Sequence, residues 1–205
     1  MRCFVIGNGP SLARTNLDKI TGEPSFACNN IHLIYGQTKW RPTHYVRAEQ
    51  SGFKIDVNYW QESIDVHLKL GCEMWCNHVF KAGGTDLTPC NHYNKHFNNP
   101  DCPHLWHLPM LCTFGSSVNV AVQIAVKLGY SPIYLVGCDL GYENNKPSHF
   151  DPKYEHGQEQ DAFYANGDTL AAHMIAARSG HPIYNATLGG LLEAFPRVEY
   201  ESLFQ

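Results

Sequence analysis

The chain has 205 residues, 43% of them apolar and 17% charged, which suits one globular domain with a sizeable core. A formal charge of −4 offers no basic field for nucleic acid, and no apolar run reaches the roughly 20 residues of a membrane span. No basic flank leads into a long apolar stretch near Met1, so the expected setting is the cytoplasm. The eight cysteines are accordingly expected as free thiols or metal ligands rather than as disulfides.

The first predicted strand, 3–6, runs into Gly7-Asn8-Gly9-Pro10-Ser11. Glycines let backbone N–H groups approach a phosphate, and Asn8 and Ser11 can add side-chain hydrogen bonds. The same residues also make an ordinary tight bend, and the third glycine of the dinucleotide fingerprint is missing, so a mononucleotide suits the turn better than NAD. The second strand, 25–28, ends on Asn29-Asn30, amides that can both donate to and accept from a ribose or a base edge. Strands follow at 44–47 and 73–76.

Residues 81–103 are rich in Asn, Pro, Gly, Cys and His and are expected as an irregular insertion. Cys72, Cys76, Cys90, Cys102 and Cys112 crowd this neighbourhood together with His78, His92, His96, His104 and His107. Cys90, His92, His96 and Cys102 could hold a structural zinc, although their spacing matches no standard finger. The competing reading is a lid of loops over an acceptor. Trp40, Tyr59, Trp60, Trp75 and Trp106 are expected to pack beneath the sheet.

A strand at 105–108 precedes Thr113-Phe114-Gly115-Ser116-Ser117, where Ser116 or Ser117 can cap a helix or help to bind an anion at its amino end. The three- and four-residue recurrence of Val118, Ala121, Val122, Ala125 and Leu128 predicts a helix over 117–128, stopped by Gly129. The strand at 133–136 opens onto Gly137-Cys138-Asp139, and the loop beyond supplies Tyr142, His149, Tyr154 and His156. Histidine titrates near neutral pH and a tyrosine hydroxyl can steady a departing phosphate, so these four are the candidate acid/base residues. A helix over 168–178, a strand at 183–184 and a docked tail complete the chain. Strands alternating with helices predict an α/β fold, a Rossmann-like, mostly parallel sheet with helices on both faces, in one nucleotide-binding domain over 1–205. In such sheets ligands bind beyond the carboxyl ends of the strands.

"VIGNGPSL", "FACNN", "GSSVNVAVQIAVKLGYSPIYLVGCD" and "IYNATLGGLLEAF" occur in this order. The ordered set resembles the bacterial sialyltransferases that use CMP-sialic acid, and the related MptE-like family that includes 6-hydroxymethylpterin pyrophosphokinases. The resemblance implies that Asn8 and Ser11 contact a nucleotide phosphate, Asn29 the ribose or base, and Ser117 the phosphate or sugar, with Gly137 and Asp139 shaping the loop beneath. It also implies inverting, metal-independent transfer, in which tyrosines stabilise the leaving CMP and a histidine deprotonates the acceptor. No Asp-x-Asp motif is present. Tyr142 is a near match to the family's tyrosine, and the family's histidine position falls near Phe163, so His149 or His156 would have to substitute.

Three functions are thus expected in order. The first is sugar transfer from a CMP-type donor to a glycan or small-molecule acceptor, with no cofactor beyond the donor. The second is Mg²⁺-dependent pyrophosphoryl transfer from ATP to a pterin-like alcohol, for which Asp139, Glu143 and Asp151 are the carboxylates at hand. The third is nucleotide binding without catalysis. A homo-oligomer is compatible with all three.

Overall fold

The computed structural model describes residues 1–47, 57–77, 85–89, 110–111, 116–140, 147–154 and 180–205. Within these lie eight strands: β1 (Cys3–Ile6), β2 (Ser25–Cys28), β3 (His44–Arg47), β4 (Glu73–Asn77), β5 (Thr85–Pro89), β6 (Met110–Leu111), β7 (Ile133–Val136) and β8 (Ile183–Asn185). They form one sheet in the order β6-β5-β4-β3-β2-β1-β7-β8, and every pairing is parallel. The α/β, Rossmann-like architecture expected from the sequence is the one observed. Residues 85–89, inside the stretch expected to be irregular, add a strand beside β4. The positions expected for a strand at 105–108 and a helix at 168–178 lie outside the described residues.

The central strands read as unbroken apolar runs because both of their faces are covered. All four residues of β1 are fully buried. Their side chains alternate between two cores. Cys3 and Val5 join Phe26, Cys28, Leu135 and helix α2 (Ser117–Lys127), whereas Phe4 and Ile6 join Leu12, Ile20, Ala27, Trp40 and Tyr200. Val120, Ala121, Ile124 and Ala125 of α2 are buried, and the two alanines let the helix approach β1, β2 and β3 closely. Ser116 caps α2 by accepting from the Val118 amide at 3.2 Å, and Gly129, at φ +80°, ends it as its position predicts.

The opposite face is covered by short 3-10 turns at Pro10–Arg14, Leu17–Ile20, Ile31–Ile34 and Tyr200–Phe204, and by helix α1 (Val57–Lys69). Between β1 and β2, Gly7, Gly9, Pro10, Gly22 and Pro24 punctuate the chain too often for a long helix. The tail docks on β1, with Phe204 stacked on Phe4 and the Tyr200 hydroxyl donating to the Asn16 carbonyl at 2.9 Å. Trp40 and Trp75 are core residues, as expected.

Cys3, Cys28, Cys72, Cys76 and Cys138 are buried free thiols. Burial pushes the Cys3 thiol up to about 12 and Cys72 to about 11, so neither forms a thiolate readily. Among the described residues no three His, Cys, Asp or Glu side chains group to hold a metal, and Cys90, His92, His96 and Cys102 lie outside them. No described helix is long and apolar enough to cross a membrane.

Helix α1 turns Ser63, Ile64 and His67 inward over Tyr45, Met74 and Cys76. His67 is fully buried among Tyr35, Tyr45 and His32, and burial holds its imidazole down at about 4, opposed by its bond to the Ser63 carbonyl. The depressed value means that the unfolded chain takes up this proton more readily than the folded one. The stability from the neutral ring is therefore complete above about pH 6.5 and is lost as the pH falls toward 4. Chemical denaturation at pH 7.5 and pH 5 should show a loss of about 2 kcal/mol, with a smaller difference in a His67→Gln variant.

Candidate functional site

The strand order reverses between β1 and β7, which leaves a crevice beyond Ile6 and Val136. The two loops that leave these strands are zipped together. The Gly7 amide donates to the Val136 carbonyl and the Gly9 amide to the Gly137 carbonyl, both at 2.8 Å. Space here exists only for glycine: a Cβ on Gly7 would lie 2.4 Å from the Gly137 oxygen, and one on Gly9 only 1.9 Å from Asp139 Oδ2. Gly137 itself sits at φ +68°, where a larger residue is strained.

Asp139 closes this zipper. Its Oδ2 accepts from the Ser11 hydroxyl at 2.7 Å and its Oδ1 from the Ser11 amide at 3.2 Å. Burial pushes the Asp139 carboxyl up, and the two bonds from Ser11 oppose the shift. Ser11 is expected from the sequence to contact a phosphate. It is fully buried and both of its donors are committed to Asp139. The turn is also a poorer cradle of amides than its glycines suggested. Gly7, Gly9, Ser11 and Leu12 spend their N–H groups within the protein and Pro10 has none, which leaves the Asn8 amide without an acceptor among the described residues. The Asn8 side chain donates to the Cys28 carbonyl at 3.1 Å, while its Oδ1 is buried without a partner.

The sharper convergence lies at the ends of β2 and β3. Asn29 has φ +55°, a conformation that asparagine tolerates better than other side chains and that must be held in place. Its carbonyl accepts from Ser63 Oγ at 2.6 Å and lies 3.0 Å from the Tyr45 hydroxyl. Its side-chain Oδ1 accepts from Arg47 at 2.8 Å and from Ser117 Oγ at 3.1 Å. With Oδ1 fixed from two sides, the Asn29 Nδ2 has no acceptor among the described residues. Asn30 beside it is 1% exposed, and its Oδ1 is buried without a partner.

Arg47 is fully buried at the carboxyl end of β3. Sequence reasoning missed it, although a charged residue closing the otherwise apolar strand "HYVR" was the available signal. Ser117 brings the amino end of α2, with its positive dipole end, against the same asparagine. A buried guanidinium and a helix amino terminus thus share one anchor.

The segment 147–154 closes over the first loop. The Phe150 amide donates to the Asn8 carbonyl at 3.1 Å, which ties position 149 to the turn after β1. His149 and Tyr154, two of the expected acid/base residues, stack face to face with ring centroids 3.8 Å apart. Tyr142 and His156 lie outside the described residues. The structure therefore brings together Gly7, Asn8, Gly9, Ser11, Gly137, Asp139 and His149 around one pair of loops. It gathers Asn29, Asn30, Ser116 and Ser117 around the adjoining strand ends.

Neither a protein-family model nor a curated protein matches the sequence. Solved structures do match in three dimensions. The chain is similar to the MAf glycosyltransferase of Magnetospirillum magneticum AMB-1, with a TM-score of 0.58 and 14% identity over 98% of this chain. It spans 34% of that protein, about a third of its length. The sialyltransferase CstII of Campylobacter jejuni, solved in complex with the substrate analogue CMP-3FNeuAc, gives a TM-score of 0.53 and 18% identity over 96% of this chain and 86% of that one. Monomeric CstII gives 0.50 and 16% over 96% and 85%. The chain shares the α/β fold of these structures.

Replacing Gly9 with alanine should force the Asp139 carboxylate out of the zipper. We expect the Gly9→Ala variant to lose about 2 kcal/mol or more in urea denaturation, because Ser11 is then left buried and unsatisfied. A midpoint equal to wild type would show that the two loops do not depend on this contact.

Proposed function

We propose that the chain is a glycosyltransferase whose nucleotide-sugar donor, of the CMP type, lies across the carboxyl ends of β1, β2 and β3. The observation that carries this reading is the convergence on Asn29 Oδ1 of Arg47 and of Ser117 at the start of α2. In a glycosyltransferase-like fold, a buried cation and a helix amino terminus beyond the strand ends favour an anionic ligand. The asparagine Nδ2, the Asn8 amide and the buried oxygens of Asn8 and Asn30 would then meet the polar edges of the nucleoside or sugar.

The chemistry follows from what such a donor requires. The bond from the sugar's anomeric carbon to the phosphate oxygen breaks as an acceptor hydroxyl attacks the opposite face, with inversion. CMP departs with the bonding electrons, and the hydroxyl proton passes to a base. His149 is the residue proposed as that base. Its stacking on Tyr154 limits the ring's rotation, and the Phe150–Asn8 bond keeps it beside the strand-end loops. Tyr154, with Tyr142 in the same loop, is proposed to steady the leaving phosphate, and His156 is the alternative base. The acceptor is a glycan or small-molecule hydroxyl. The charges on the donor phosphate would be met by the protein's own cation and dipoles, so the proposed transfer requires no metal.

In a thermal-shift panel of CMP, UMP, AMP and GMP, CMP should raise the melting temperature most, by mass action on the folded state. Failure of all four to shift it would remove the nucleotide reading. With CMP-sialic acid as donor, CMP release should fall by roughly 10²–10⁴-fold in a His149→Ala variant that still binds CMP. Unchanged release in that variant would transfer the role to another base. ATP turnover that needs Mg²⁺, without CMP release, would favour pyrophosphoryl transfer instead.

A further inference from the structure

Ser63 and His67 lie on α1, a helix to which no functional role has been given above, yet they end a buried polar chain on Asn29. The Tyr35 hydroxyl and His67 Nε2 are 2.6 Å apart, and His67 Nδ1 lies 2.6 Å from the Ser63 carbonyl. The carbonyl can only accept, so Nδ1 carries the proton and Nε2 accepts from Tyr35. The imidazole stacks on Tyr45 at 4.0 Å, and the Tyr45 hydroxyl reaches both Ser63 Oγ, at 3.2 Å, and the Asn29 carbonyl. Ser63 Oγ then donates to that same carbonyl at 2.6 Å. His67 and Ser63 are both fully buried.

A left-handed asparagine gains nothing from its own backbone, so something outside β2 must hold it. Strand pairing supplies only a long contact, from the Asn29 amide to the Val46 carbonyl at 3.4 Å. The two strong constraints on the Asn29 peptide come from Ser63 and Tyr45, and His67 fixes the ring of one and the helical turn of the other. We infer that Ser63, Tyr45 and His67 form a positioning unit that sets the orientation of Asn29, and through it the direction of its free Nδ2 toward the donor. None of the three is proposed to touch the donor. The inference deepens the proposed function, resting on Asn29 being a donor contact, but its structural half can be read without any ligand.

The test uses ¹⁵N-labelled full chain. The Asn29 side-chain NH₂ pair is identified by its loss in Asn29→Asp, and its position is then followed in Ser63→Ala, Tyr45→Phe and Ser63→Thr. The first two should move the Asn29 resonances in the absence of ligand and weaken CMP binding by roughly five- to tenfold. Ser63→Thr, which keeps the hydroxyl, should restore both, and Gln61→Ala on the exposed side of the same helix should change neither. In turnover the loss should fall on KM more than on kcat. His67→Gln should shift the same signals, and the serine and tyrosine variants carry the test if it fails to fold. Asn29 resonances unmoved in Ser63→Ala and Tyr45→Phe overturn the inference. Resonances that move while CMP affinity stays unchanged leave the Asn29 geometry explained but overturn its link to the donor, and with it the proposed placement of the nucleotide.

Discussion

The contact on which this structure turns is the one between the backbone after β1 and the backbone after β7. Two parallel neighbours whose connections leave in opposite directions create a crevice, and here that crevice is partly filled by main chain. Gly7 and Gly9 have no side chain because carbonyl oxygen and carboxylate occupy the space one would need. Once the loops are zipped, the turn at Pro10–Arg14 is capped by Asp139, Asn8 is aimed at the end of β2, and residue 150 can close over it. The rest of the site follows outward from that seam.

The seam also redistributes function among residues that look equivalent in the sequence. A glycine-rich turn after a first strand reads as a cradle for an anion, but its amides are mostly spent on the partner loop. The charge that could meet an anion sits two strands away, where Arg47 and the start of α2 share Asn29. The proposed ligand accordingly lies across several strand ends rather than in a single loop.

Much of this was legible beforehand. β1, β2, β3 and β7 fall where the apolar runs placed them, since a strand buried on both faces has no other way to be written. α2 was readable from its 3.6-residue period, its serine cap and its terminal glycine. That Asn8 and Asn29 follow directly on β1 and β2, and that Ser117 opens α2, could also be read in advance. Two kinds of information were hidden. Ser11 and Asp139 are 128 positions apart, and nothing local says that each satisfies the other. Ser63 and His67 sit on a helix that the sequence pattern did not single out, and their reach to Asn29 exists only once α1 lies across β3. Strand β5 escaped because its short segment is embedded in polar, turn-prone residues.

The buried thiols described above have a use of their own. Cys3 lies on β1, Cys28 on β2, Cys76 on β4 and Cys138 just after β7, each sealed from solvent and free of disulfide partners. An alkylating reagent can reach such a sulfur only when the layer above it parts, so labelling speed becomes a clock for local opening. Peptide by peptide, the sheet carries a built-in record of which of its strands breathes first.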